Sequence, residues 1–304
     1  MEYVLTANAL KKQYRHFYAI NNLSMSIPRG SIYGLVGKNG SGKTTLMRLI
    51  CGLQEPTYGG YTLFGVHYKA KAINKVRRRM GAVVETPSIY LDMTAEDNLK
   101  EQYRVLGLPS YEGIDELLGL VGLSDTGKKK ARNFSLGMKQ RLGIAIALCG
   151  RPDFLALDEP VNGLDPQGIV DIRELIIKLN REYQITFLIS SHILSELSRL
   201  ATHFGFIDKG YMVKEISASE LEAACRKCVR LNVTDVNALS RVLDNLNLEY
   251  SIISGCEADV YGYVSVTELV MALAKENCEV KSIHEKDEDL ENYYINLVGG
   301  GANE

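Results

Sequence analysis

No apolar run in this 304-residue sequence approaches the ~18 residues that a membrane-crossing helix requires. The first stretch, Met1 to His16, has no apolar centre of the secretory-signal kind. A basic excess is missing too: 35 Lys and Arg stand against 37 Asp and Glu, for a net charge of -2. That balance leaves no electrostatic footprint for nucleic acid, so no nucleic-acid partner is expected. Internal repeats and low-complexity linkers are absent. These absences predict a soluble chain that stays inside the cell and meets a membrane only through a partner.

Cysteine is scarce and poorly spaced for a metal. There are six: Cys51, Cys149, Cys225, Cys228, Cys256 and Cys278. Cys51 and Cys149 lie in apolar helical runs and read as buried thiols. Cys225 and Cys228 have CxxC spacing, which Cys256 and Cys278 would have to complete as a zinc site. That second pair is too widely separated for a ribbon or finger, so free thiols are the expectation.

What is present is an ordinary globular composition, 46% hydrophobic and 24% charged. The length predicts two domains. Up to about residue 217, short apolar strands alternate with helical stretches. Strands are predicted at Ser31 to Val36, Met80 to Val84, Asp153 to Leu157 and Ile185 to Ile189. Helices are predicted at Thr44 to Cys51, Thr94 to Leu106, Gly113 to Val121, Leu136 to Leu148 and about Gln167 to Asn180. Such alternation implies a mostly parallel sheet covered on both faces. From residue 218 the order becomes β-α-β-β-α-β, the split βαβ arrangement. Its predicted strands are Val229 to Val233, Tyr250 to Ile253, Asp259 to Val264 and Val280 to His284. Its predicted helices are Val236 to Leu246 and Thr267 to Glu276, and a last segment runs from Leu290 to Leu297.

Gly37-Lys-Asn-Gly-Ser-Gly-Lys43-Thr44 matches G-x-x-x-x-G-K-[ST] between a predicted strand and a predicted helix, the context that this motif needs. Gly37, Gly40 and Gly42 let the backbone curl so that its N–H groups point at phosphate oxygens. The helix N-terminus adds positive potential. Lys43 supplies a point charge for the β- and γ-phosphates, and Thr44 a hydroxyl for Mg²⁺. Asn39, Ser41 and Thr45 complete the predicted phosphate-binding set. Farther on, the apolar strand Phe154 to Leu157 runs into Asp158-Glu159-Pro160. A carboxylate delivered at a strand end suits a metal shell at Asp158 and a water-polarising group at Glu159. Two solvated acids are the alternative, and the intact phosphate loop weighs against it. ATP and Mg²⁺ are therefore the expected ligands.

Phe134-Ser-Leu-Gly-Met-Lys-Gln-Arg141, just upstream, resembles the signature of ABC ATPases, usually L-S-G-G-Q. Ser135 and Gly137 match; Phe134, Leu136 and Met138 depart from the pattern. The departures leave the serine hydroxyl and the helix N-terminus that a γ-phosphate needs. Asn162-Gly-Leu-Asp165 resembles the D-loop of that family, and Ser190-Ser-His192 its switch-histidine loop. Tyr14 stands where the family places an adenine-stacking aromatic; a plain core or surface tyrosine is the alternative. After the strand ending at Val84 the family carries a glutamine that touches Mg²⁺ and water, whereas this chain has Glu85-Thr86-Pro87-Ser88. That variant, the signature and the Leu290 to Leu297 ending resemble the bacitracin and lantibiotic immunity branch of ABC transporters. A carboxylate can still ligate Mg²⁺.

The resemblance implies an α/β P-loop core of the ABC type over residues 1–217, with a helical subdomain at about 87–150. The small α+β domain, residues 218–304, follows. It also implies ATP hydrolysis that powers a membrane permease, for export of or resistance to antimicrobial peptides or drugs. Two subunits, in a homodimer or a heterodimer with a second ABC ATPase, would enclose two ATPs. Lys43, Glu159 and His192 would act on the γ-phosphate. Thr44, Asp158 and Glu85 would face Mg²⁺, and Ser135, Gly137 and Asp165 would serve the facing subunit. The place implied is the inner face of the cell membrane, peripheral through the permease. The competing readings are a soluble non-transport ABC ATPase and the ATPase of a drug-sensing complex.

Overall fold

Two long strands, β1 (Tyr3–Tyr14) and β2 (Phe17–Pro28), pair as an antiparallel hairpin. With β4 (Tyr58–Leu63) and β5 (Val66–His67) they form a four-stranded sheet in the order β2-β1-β4-β5. Strand–helix alternation gives no sign of this antiparallel layer, because its period-2 pattern is broken. The β1–β2 register shifts four times, and Ala9 and Asn22 turn through positive φ of 47° and 52°. Each irregularity moves the following side chains to the other face.

The second sheet has the order β10-β9-β3-β8-β7-β6. Its members are β3 (Ile32–Val36), β6 (Met80–Val83), β7 (Phe154–Asp158), β8 (Thr186–Ser191), β9 (His203–Asp208) and β10 (Tyr211–Ser217). The five strands from β9 to β6 run parallel, and β10 closes one edge antiparallel. Every residue of β3, β7 and β8 is buried. That is why these strands read as unbroken apolar runs: both faces are covered.

Helix α1 (Lys43–Ile50) follows β3 and is a core element. Its Leu46, Met47, Leu49 and Ile50 are fully buried, in one cluster with β1, β2, β3 and β7 side chains. Four such side chains contribute roughly 6–12 kcal/mol of gross burial free energy. The phosphate loop that opens α1 is therefore anchored on a rigid base. After it come α2 (Ile73–Arg77), α3 (Ala95–Leu106), α4 (Ile114–Leu120), α5 (Leu136–Leu148), α6 (Pro166–Tyr183), α7 (Leu194–Leu197) and α8 (Ala218–Ala224). Thr94 caps α3 by accepting from Asp97 N–H, and Gly107 ends it at φ 68°. Pro166 stands in the first turn of α6 behind Asp165.

The computed structural model describes residues 2–225, 228–261 and 265–286, with 293, 294 and 297, in two compact units, 1–218 and 219–304. In the second unit β11 (Cys228–Val233), α9 (Val236–Asn245), β12 (Glu249–Ile252), β13 (Glu257–Tyr261), α10 (Val266–Lys275) and β14 (Val280–Lys286) follow in order. The antiparallel sheet β12-β13-β11-β14 carries Leu231, Val233, Ala258 and Val260 on its inner face, packed on Leu239, Val242, Leu243, Leu269 and Leu273. Arg230 donates two hydrogen bonds to Asp259 across the β11–β13 pair, at 2.6 and 2.7 Å. The segment read as Leu290 to Leu297 lies outside the described residues except at 293, 294 and 297. Among the described residues no group of three or more His, Cys, Asp or Glu could hold a metal ion.

Candidate functional site: a phosphate loop beside two acids and a histidine

The loop between β3 and α1 is built around glycines that nothing larger could replace. A Cβ on Gly37 would lie 2.5 Å from the Ile207 carbonyl oxygen and 2.5 Å from Ser41 Oγ. One on Gly42, at φ 113°, would meet the Ala19 carbonyl at 2.6 Å. Gly37 N–H donates to the Ser191 carbonyl at 3.2 Å, so the loop is tied to the end of β8. Asn39 and Gly40 are exposed at its tip. Ser41 Oγ is buried and has no hydrogen-bond partner among the described residues. The Thr44 and Thr45 hydroxyls make none with the described residues either. These are groups that phosphate oxygens and a hydrated cation would satisfy.

Lys43 is buried, only 6% exposed. Its Nζ donates to the Gly37 and Lys38 carbonyls at 2.7 and 3.3 Å and lies 3.2 Å from Glu159 Oε1. The other carboxylate oxygen, Glu159 Oε2, sits 2.8 Å from His192 Nδ1. Lysine, glutamate and histidine thus form one chain of charged and polar contacts across the ends of β3, β7 and β8. Glu159 has φ 48°, a left-handed conformation that a side-chain-bearing residue adopts at a cost of about 1–2 kcal/mol. Asp158, one residue earlier, is 3% exposed. It is held by Ser190, whose Oγ donates to Asp158 Oδ1 at 2.5 Å and accepts from Glu159 N–H at 2.9 Å. Ser190 had no role of its own in the sequence beyond its place before His192. The one sequence signal was a serine near the end of an apolar strand; its register opposite Asp158 appears only in the fold. At the C-terminal end of α1, burial pushes the Cys51 thiol up to about 12; Arg77 opposes the rise and Asp158 adds to it.

Glu85 is placed differently. It ends the β6 strand region, is exposed, and has φ 65°. Its carboxylate is held by the Arg48 guanidinium of α1, not by Lys43, His192 or another member of the cluster.

The signature and D-loop residues lie together, and no bond joins them to Lys43. Ser135 caps α5, its Oγ accepting from Met138 N–H at 3.2 Å. Phe134 is buried before it, and Leu136 beside it is exposed. A Cβ on Gly163 would come within 3.3 Å of Leu136, and one on Gly137 within 3.9 Å of Leu164. Asp165 is the N-cap of α6. Tyr14 is an exposed aromatic at the end of β1; its hydroxyl bonds Gln54, and the Lys12 ammonium lies 5.2 Å from its ring centre.

Residues 20–162 match the family model described as ABC transporter. The Bacitracin transport ATP-binding protein BcrA of Enterococcus faecalis is 38% identical over 305 residues, covering 99% of this chain and 98% of that protein. The Lantibiotic transport ATP-binding protein SrtF of Streptococcus pyogenes is 43% identical over 219 residues, 71% of this chain and 93% of its own. A solved ATP binding subunit of an ABC transporter superposes with a TM-score of 0.64 at 27% identity, over 73% of this chain and 92% of that one.

Proposed function

The chain belongs to the ABC transporter family, as an ATP-hydrolysing subunit, and from that premise we propose that its ATP turnover drives a membrane permease that expels, or protects against, an antimicrobial peptide. The bacitracin relative supports this reading over the full length, second unit included. The structural observation that carries the ATP-hydrolysing part of the reading is the contact chain Lys43–Glu159–His192 at the mouth of a phosphate loop.

The residues divide the work as follows. Loop N–H groups and the α1 N-terminus bind the phosphate chain. Lys43 turns from the Gly37 carbonyl and Glu159 to the γ-phosphate. Glu159, held between Lys43 and His192, orients the attacking water and accepts its proton. His192 donates toward the γ-phosphate as charge shifts onto the leaving oxygen. Thr44 and Asp158 would hold Mg²⁺, with Glu85 in reach when it leaves Arg48. The metal would supply charge neutralisation on the β- and γ-oxygens. Tyr14 is the adenine platform.

Ser135, Gly137 and Asp165 are unconnected to Lys43 in their own chain. They complete the site of a second subunit, in a homodimer or a heterodimer with a related ATPase. No helix among the described residues is long and apolar enough to cross a membrane. The transport relatives support attachment to the inner face of the membrane through the permease.

Glu159→Gln tests the reading. ATP affinity should stay within a few fold while turnover falls at least about a hundredfold. Cells that rely on the transporter should become sensitive to bacitracin-like or lantibiotic peptides. Unchanged peptide sensitivity after loss of turnover would overturn the peptide assignment, and retained turnover would overturn the role of Glu159.

A further inference from the structure

A glutamate in the place of a glutamine adds a negative charge beside a site that already holds Asp158 and Glu159 and must take a polyphosphate. Arg48 answers that charge. It lies on α1, five residues beyond Lys43, so its Cα is about 7.5 Å along the helix from the phosphate loop. Its guanidinium bonds the Glu85 carboxylate, and no other side chain among the described residues does. The pair has no net charge, as a glutamine has none.

Its exposure says what kind of bond it is. The Arg48 and Glu85 side chains are 34% and 55% exposed. A pair this open to water adds little to stability and exchanges readily. Glu85 also stands at φ 65°, a backbone conformation that favours release into another well. A weak bond on a strained residue suits a contact that is meant to open. We propose that Arg48 is a positioning residue, a latch that holds the Glu85 carboxylate away from the nucleotide's metal until MgATP competes for it. This rests on the reading of Glu85 as a group that can reach the metal.

Removing the latch frees the carboxylate, so metal should bind more tightly to the nucleotide-loaded chain. The experiment is a Mg²⁺ titration of the full chain loaded with a fluorescent ATP analogue, for wild type, Arg48→Ala, Glu85→Gln and the double variant. Thermal melting checks that each is folded. Arg48→Ala should lower the Mg²⁺ half-saturation concentration by about three- to tenfold when Glu85 is present. In the Glu85→Gln background it should move it less than about twofold. Arg48→Lys, which keeps the charge, should fall nearer to wild type. Equal effects of Arg48→Ala in both backgrounds would mean that Arg48 is only background charge, and would sink the latch. If Glu85→Gln leaves both the Mg²⁺ titration and peptide resistance as in wild type, the underlying reading of Glu85 fails, and the latch falls with it.

Discussion

Ser190→Ala removes a single oxygen, and two bonds go with it. The hydroxyl donates to the buried Asp158 carboxylate at 2.5 Å and accepts from Glu159 N–H at 2.9 Å. The first bond is charge-assisted, worth about 1.5–3 kcal/mol, and the second is a neutral one worth about 1 kcal/mol. Ser190 is fully buried, so water does not replace either bond without opening the sheet. The sum is about 2.5–4 kcal/mol. For a unit of this size that is a fall in melting temperature of roughly 5–15 °C. Differential scanning calorimetry of the two chains reads it directly. ATPase activity should fall more than folding does, because Glu159 loses the bond that fixes its left-handed backbone. A melting temperature within about 1 °C of wild type would refute the idea that Ser190 holds the two acids.

Other changes have sharp outcomes. Lys43→Ala should cost at least about a hundredfold in nucleotide affinity by equilibrium binding, since Lys43 is the buried cation of the loop. A Ser135→Arg chain mixed with a Lys43→Ala chain should regain part of the ATPase activity that neither has alone, because one of the two shared sites is then intact; proven mixed dimers without recovery would argue against sites built from two chains. Burial pushes the Cys51 and Cys149 thiols up to about 12, so both should resist alkylation at pH 8 in the folded chain and react on unfolding, as mass spectrometry would show. For the same two thiols the stabilising contribution is complete below the unfolded value of 9.0 and is lost as pH rises toward about 12, so melting temperature should drop across that alkaline window and recover on return to pH 8.

Much of this was legible in the chain itself, and the limits are physical. The phosphate loop, the apolar strand leading to Asp158 and the helix from Leu136 to Leu148 are local patterns, complete within a dozen residues. The antiparallel layer was hidden because bulges interrupt its alternation. Ser190 and Asp158 are 32 residues apart, and only the pairing of β7 with β8 gives the serine its work. Arg48 and Glu85, 37 residues apart, meet only in the folded chain, the one on α1 and the other just past the end of β6. No motif announces a contact of that kind. Phe134 departs from the family signature, yet its burial shows why an apolar residue stands there: it anchors the turn into Ser135.

The pairing of Asp158 with Ser190 and the bond from Gly37 N–H to Ser191 fix three strand ends at one level. A slip of one residue between β7 and β8 would send the Asp158 carboxylate to the opposite face and part it from Ser190. A misregistered chain could bury nearly as much apolar surface and still have no nucleotide site. Nucleotide is then an inspector of folding as well as a fuel. At a hundred times its dissociation constant it favours the correctly registered chain by about 2.7 kcal/mol, a preference near a hundredfold, over any form that cannot bind it. Newly made subunits would be sorted by the same molecule that they later consume.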